Sequence, residues 1–159
     1  MSKVSRALAQ SSFNLKKTFM PFISVLIHYV WSTKNREPTL KDEFRYLLFD
    51  HIKQNAQSKK IYLDRINGYY DHVHCIISLG SDQTIEKVAQ LLKGESSFWF
   101  NNKSGFKARL EWQDEYYAVS VSRSHLETLR AYVDNQEIHH RKKSFEKEYK
   151  EFVRSHGFK

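Results

Sequence analysis

Cysteine is almost missing from this chain. One thiol, Cys75, occurs among 159 residues. No internal disulfide can form, so the fold rests on an apolar core, the usual arrangement in a reducing compartment. Proline is nearly as scarce, with two, and there are five glycines; this excludes collagen-like and linker-like tracts. No apolar run approaches the roughly 18 residues of a membrane span, and the first nineteen residues lack the apolar stretch of a secretory signal. Acidic residues are the minority charge. Asp and Glu number 18 against 26 Lys and Arg, for a net charge of +8. A basic chain with 14% aromatics suits a single-stranded nucleic acid, whose phosphates meet cations and whose bases stack on rings.

The chain is long enough for one domain with a real core. Residues 1–19 are polar and aperiodic and read as a flexible leader or upstream extension; the domain is expected over 20–159. Phe22–Trp31 alternates like a strand. Pro38–Ser58 reads as a helix with Phe44, Leu47, Leu48, His51 and Ile52 on its apolar side. Ile61–Asn67 is a second strand, and Asn67-Gly68 turns it toward a third. Thr84–Asn101 is a helix, Tyr116–Val121 a fourth strand, and Lys143–Val153 a last, charged helix. The order β-α-β-β-α-β-α predicts an α+β fold. It is a ferredoxin-like split βαβ antiparallel sheet with helices on one face, plus an added C-terminal helix that carries Tyr132.

The third strand is the most informative segment. In Tyr69-Tyr-Asp-His-Val-His-Cys-Ile-Ile-Ser-Leu79, His72 and His74 point to one face, roughly 6.5 to 7 Å apart at the backbone. Val73, Cys75, Ile77 and Leu79 point to the other and can fill a core. Two imidazoles on one rigid strand can grip one divalent ion, although a lone His-x-His is more often a polar strand face. Sixty residues on, Ser124–His140 has a helical period with Leu126, Leu129 and Val133 as its apolar stripe. Ser124 and Glu127 read as a capping box at its start. Tyr132 and Gln136 lie one turn apart, about 6 Å along the axis. A phenol can attack phosphorus, and a carbonyl oxygen can ligate a hard cation.

Taken together these segments resemble the single-tyrosine HUH transposases of the insertion-sequence 200/605 family. The marks are Ser32-Thr-Lys-Asn-Arg36, Asn67-Gly68, Asp71-His-Val-His-Cys-Ile-Ile77 and Leu92-Lys-Gly-Glu-Ser-Ser-Phe98. Further on come Trp112-Gln113, Val119-Ser-Val-Ser122 and Tyr132-Val-Asp-Asn-Gln-Glu-Ile-His-His-Arg141. The resemblance implies His72, His74 and Gln136 as ligands of Mg or Mn, and Tyr132 as the nucleophile. It implies a 5′-phosphotyrosine intermediate on single-stranded DNA with subterminal hairpins. It also implies a homodimer in which each tyrosine helix completes the partner's site, and a prokaryotic, cytoplasmic protein. One departure is visible: where the family often reads Trp-Gln-x-Gly-Tyr-Gly, this chain has Trp112-Gln-Asp-Glu-Tyr-Tyr117, which puts the backbone of that loop in question.

Several residues keep more than one reading. His139 and His140 are alternative ligands to Gln136, and His28 reads as structural. Trp99, Phe98 and Phe100 read as core or interface. Lys34, Arg36, Lys93, Arg123, Arg141, Lys142 and Lys143 form a candidate phosphate track as a set, while each alone reads as a surface charge. No dedicated base for Tyr132, whose phenol ordinarily titrates near 10, stands out. Two further functions fit the same features. One is a domesticated endonuclease acting on chromosomal repeats. The other is a non-enzymatic ferredoxin-like module that binds RNA or single-stranded DNA.

Overall fold

The computed structural model describes residues 22–103 and 105–156, so the expected leader lies outside the described residues. Four strands form one antiparallel sheet: β1 (Leu26–Ser32), β2 (Tyr62–Gly68), β3 (His72–Ser78) and β4 (Tyr117–Val121). Their order is β2-β3-β1-β4, the ferredoxin-like order expected when two βαβ halves interleave. The two central strands are the most apolar: β3 is buried from His72 to Ile77 and β1 from Ile27 to Trp31.

Alternation along β1 and β3 builds two different faces. Ile27, Tyr29 and Trp31 of β1, with Val73, Cys75 and Ile77 of β3, join the main core under α1 (Asp42–Ser58) and α2 (Ile85–Asn102). The opposite face carries His28, His74 and Ile76. It is covered by α3 (Leu126–Asp134), α4 (Gln136–His140) and α5 (Phe145–His156). The ferredoxin-like unit therefore keeps α1 and α2 on one face, as its element order predicts, while three added helices roof the other.

Four local expectations are corrected. The first strand starts at Leu26, not Phe22; Phe22, Ile23 and Val25 are exposed. The first helix starts at Asp42, and Leu47 faces solvent whereas Arg45 is buried. Arg45 tolerates burial because its guanidinium meets Asp42 at 2.8 Å and Glu137 at 2.5 Å and lies over the rings of Tyr46, Tyr69 and Tyr70. The Ser124–Glu127 capping box is absent: Arg123–His125 forms a 3-10 turn, and the Ser124 hydroxyl bonds to Ser122 and His125. Finally, the tyrosine helix breaks at Asn135, which leaves helical geometry at φ −100° and ψ 23°. Of the aromatic trio, Phe100 is core and Phe98 is exposed.

Candidate metal and tyrosine site

The site forms where β3 meets α3, α4 and α5. His72 and His74 are both buried, side by side, with ring centroids 5.0 Å apart. Each has one ring nitrogen tied back to the protein. Nδ1 of His72 lies 2.7 Å from Asp71 Oδ1, and Nδ1 of His74 lies 3.0 Å from Nε2 of His28. A carboxylate accepts, so His72 donates from Nδ1 to Asp71 and turns its Nε2 into the site. Support of this kind orients metal-binding imidazoles. The ring of His28 also stacks on His74 at 5.2 Å.

Gln136 is fully buried, and its amide orientation follows from its neighbours. Nε2 donates to the Tyr132 carbonyl at 3.3 Å, so Oε1 faces Nε2 of His72 at 3.2 Å and Nε2 of His140 at 3.1 Å. Nδ1 of His140 lies 3.0 Å from the carbonyl of Lys143, which can only accept. Burial pushes His140 down to about 4, with His72 the next cause. It is therefore neutral at pH 7. His74 is held well below the ordinary histidine range, first by burial and then by His72.

Tyr132 is half-buried on α3, its ring 5.6 Å from that of His74 and 5.2 Å from that of His139. A cavity of about 520 Å³ opens beside it, walled by Val30, Val119, Leu129, Tyr149 and Phe152. Three attachments hold α3 to its own sheet. Val133 is fully buried against Ile76, Asn67 Nδ2 donates to the Asp134 carbonyl at 3.1 Å, and Arg130 grips Asp64 through two bonds of 2.8 and 2.6 Å. The short connection after β4 lets this helix fold back onto its own sheet.

The carboxylate of Glu148, from α5, lies among these groups. It is buried, 3.7 Å from His74 Nε2 and 3.0 Å from His140 Nε2. Burial, with Asp71 and Glu151 adding to it, pushes this carboxyl up to about 8. Glu148 is not among the residues expected at the site, although the sequence carries a signal for it: Phe145, Glu148, Tyr149 and Phe152 share one helical face, and that apolar stripe carries an acid.

The basic candidates separate into two groups. Lys93 is half-buried and donates to the carbonyls of Gln113 and Asp114 at 2.7 and 2.8 Å. This clamps the loop that lacks the two glycines, and no residue from Gln113 to Tyr116 has a positive φ. Lys34 pairs with Glu111, Lys143 pairs with Glu151, and Arg36 lies over the rings of Phe145 and Tyr149. Arg123, Arg141 and Lys142 are exposed.

The family described as "Transposase IS200 like" matches residues 22–136, which span β1 to Gln136. The chain belongs to this family. Two solved structures share the fold of this IS200-like transposase. One is a protein of Deinococcus radiodurans R1 provisionally described as a transposase. Its TM-score is 0.57 at 22% identity, covering 73% of this chain and 93% of that one. The other is a REP-associated tyrosine transposase bound to a REP hairpin, with TM-score 0.54 at 17% identity, covering 77% and 70%. No curated protein gives a significant match. Among the described residues, no helix is long and apolar enough to cross a membrane.

Proposed function

We propose that this IS200-like transposase cuts and rejoins single-stranded DNA at hairpin-bearing insertion-sequence ends, with Tyr132 as nucleophile and a Mg or Mn ion held by His72, His74 and Gln136. The observation that carries the reading is the meeting of Tyr132 with His74 while Gln136 turns its oxygen toward Nε2 of His72. The residues fit a cation. His74 Nε2 is a buried nitrogen without a hydrogen-bond partner, and the Gln136 oxygen stands 3.2 Å from Nε2 of His72.

When bound, a divalent ion supplies charge to a non-bridging phosphate oxygen and so eases attack. The protein's own residues do the rest. Asp71 and His28 fix the two imidazoles, and α4 sets the Gln136 oxygen. The attack forms the bond from Tyr132 Oη to phosphorus and breaks the bond from phosphorus to the 3′ oxygen. The products are a 5′-phosphotyrosine and a free 3′-OH; the covalent ester keeps the energy for rejoining. The relative bound to a REP hairpin supports a hairpin partner.

The contacts of α3 with its own sheet favour a site completed within one chain. A homodimer exchanging α3 is the second reading, because excision needs two nucleophiles. A domesticated enzyme would use the same chemistry, whereas a passive RNA-binding module would need neither Tyr132 nor Gln136. The deciding experiment incubates the protein with hairpin-bearing single-stranded ends and Mn. A covalent protein–DNA band should appear on a denaturing gel. Tyr132→Phe should abolish it while DNA binding stays nearly unchanged; an adduct from that variant would place the nucleophile elsewhere.

A further inference from the structure

We propose that Glu148 is a ligand of the divalent cation, so that α5 closes the metal site together with β3 and α4. The inference rests on the cation reading above and adds a charged ligand from outside the family-matched segment, which ends at Gln136.

Ligand-type atoms converge here from three elements. Oε1 of Gln136 lies 3.2 Å from Nε2 of His72 and 3.1 Å from Nε2 of His140. Oε2 of Glu148 stands 3.0 Å from the same His140 nitrogen, and Oε1 stands 3.7 Å from His74 Nε2. Both carboxylate oxygens, and His74 Nε2, are buried with no hydrogen-bond partner. Ligand atoms of His72, His74 and Glu148 lie within 4.8 Å of one another. Burying polar atoms unpaired is costly. One cation would satisfy His74 Nε2 and the Glu148 carboxylate together.

The local structure explains how Glu148 arrives there. After α4 the chain turns through Lys142 and Lys143, and the Phe145 ring stacks on His72 at 4.2 Å and 12° between planes. Three residues on, one helical turn later, Glu148 projects from the same face. Phe145 thus sets the register of α5 and Glu148 uses it. His72, His74 and Gln136 alone are neutral ligands. A carboxylate lowers the net charge of the loaded site and adds a hard oxygen suited to Mn or Mg.

The test measures metal binding without DNA, so its outcome is separate from that of the adduct experiment. Mn is titrated into the full-length chain, and free Mn is read by electron paramagnetic resonance. Glu148→Gln should weaken Mn binding by about ten-fold or more. Glu146→Gln, at an exposed position on the same helix, should leave it unchanged. Equal or tighter binding by Glu148→Gln overturns the proposal. If that variant does not fold, hydrogen exchange on the wild-type chain decides. Amides of Phe145–Phe152 should be protected on Mn addition, and unchanged exchange there overturns the assignment.

Discussion

His28 shows how one side chain can carry both a site and a pH dependence. It lies on β1, buried against His74, and burial, with His156 contributing, pushes it down to about 4. A histidine whose folded value lies below its unfolded 6.5 favours the folded state at high pH. That advantage is complete above 6.5 and is lost as pH falls from 6.5 toward 4, because the unfolded chain then binds the proton first. The difference between 6.5 and about 4 corresponds to about 3 kcal/mol. Metal-free protein in chelator should therefore lose melting temperature steadily across that window. His28→Gln should flatten the decline; a variant that melts with the wild-type pH profile would show that His28 is not held neutral. The pairing of His28 with His74 was hidden in the sequence because the two are 46 residues apart and meet only through strand register. For Glu148 the apolar stripe of its helix marks the buried face, but the histidines it meets come from a distant strand and α4, contacts made only by long-range packing.

The β2–β3 hairpin sets the position of His72. A side chain at Gly68 would place a Cβ 2.1 Å from the carbonyl oxygen of His72, a backbone atom that cannot swing aside. Gly68→Ala should thus displace the strand that presents both histidines, and Mn affinity should fall well before the protein unfolds. Unaltered Mn binding in a folded Gly68→Ala protein would show that the hairpin does not fix the site. A second attachment is the Asp64–Arg130 fork between β2 and α3. Arg130 holds the Asp64 carboxyl below its ordinary value, so this contribution is present above the unfolded value near 3.9 and is lost as pH falls through the lower folded value. Asp64→Asn should loosen α3 and slow adduct formation while leaving Mn affinity close to wild type. These elements differ in how far the sequence disclosed them. The strands, their order and both core helices follow from period and turn residues. Buried Arg45 and the break at Asn135 do not, because each depends on α4 docking on α1 and on β2, contacts that no local pattern encodes.

At the scale of the whole molecule, net charge and subunit arrangement decide how DNA is handled. The +8 charge predicts binding that falls steeply with salt as Lys and Arg release counterions. Lys93 is committed to its loop, whereas Arg123, Arg141 and Lys142 are exposed. Charge reversal at those three should reduce the salt slope; Lys93→Ala should act through the loop instead. Subunit arrangement is the harder question. Under the proposed chemistry, excision of a strand would need two tyrosines, which argues for two copies, yet α3 packs on its own β2 and β3 through Val133, Asn67 and the Arg130 fork. A protein with sites completed in cis can still act as a pair on one DNA, each copy cutting one end. Mixing His72→Ala with Tyr132→Phe subunits separates the arrangements, because on the proposed chemistry each variant should be inactive alone. With sites in cis, every subunit of a verified mixed dimer lacks one essential group and no adduct forms. With exchanged helices, one composite site regains both groups and cleavage returns. The packing of α3 predicts no recovery, and a restored adduct would mean that the helix leaves its own sheet on assembly.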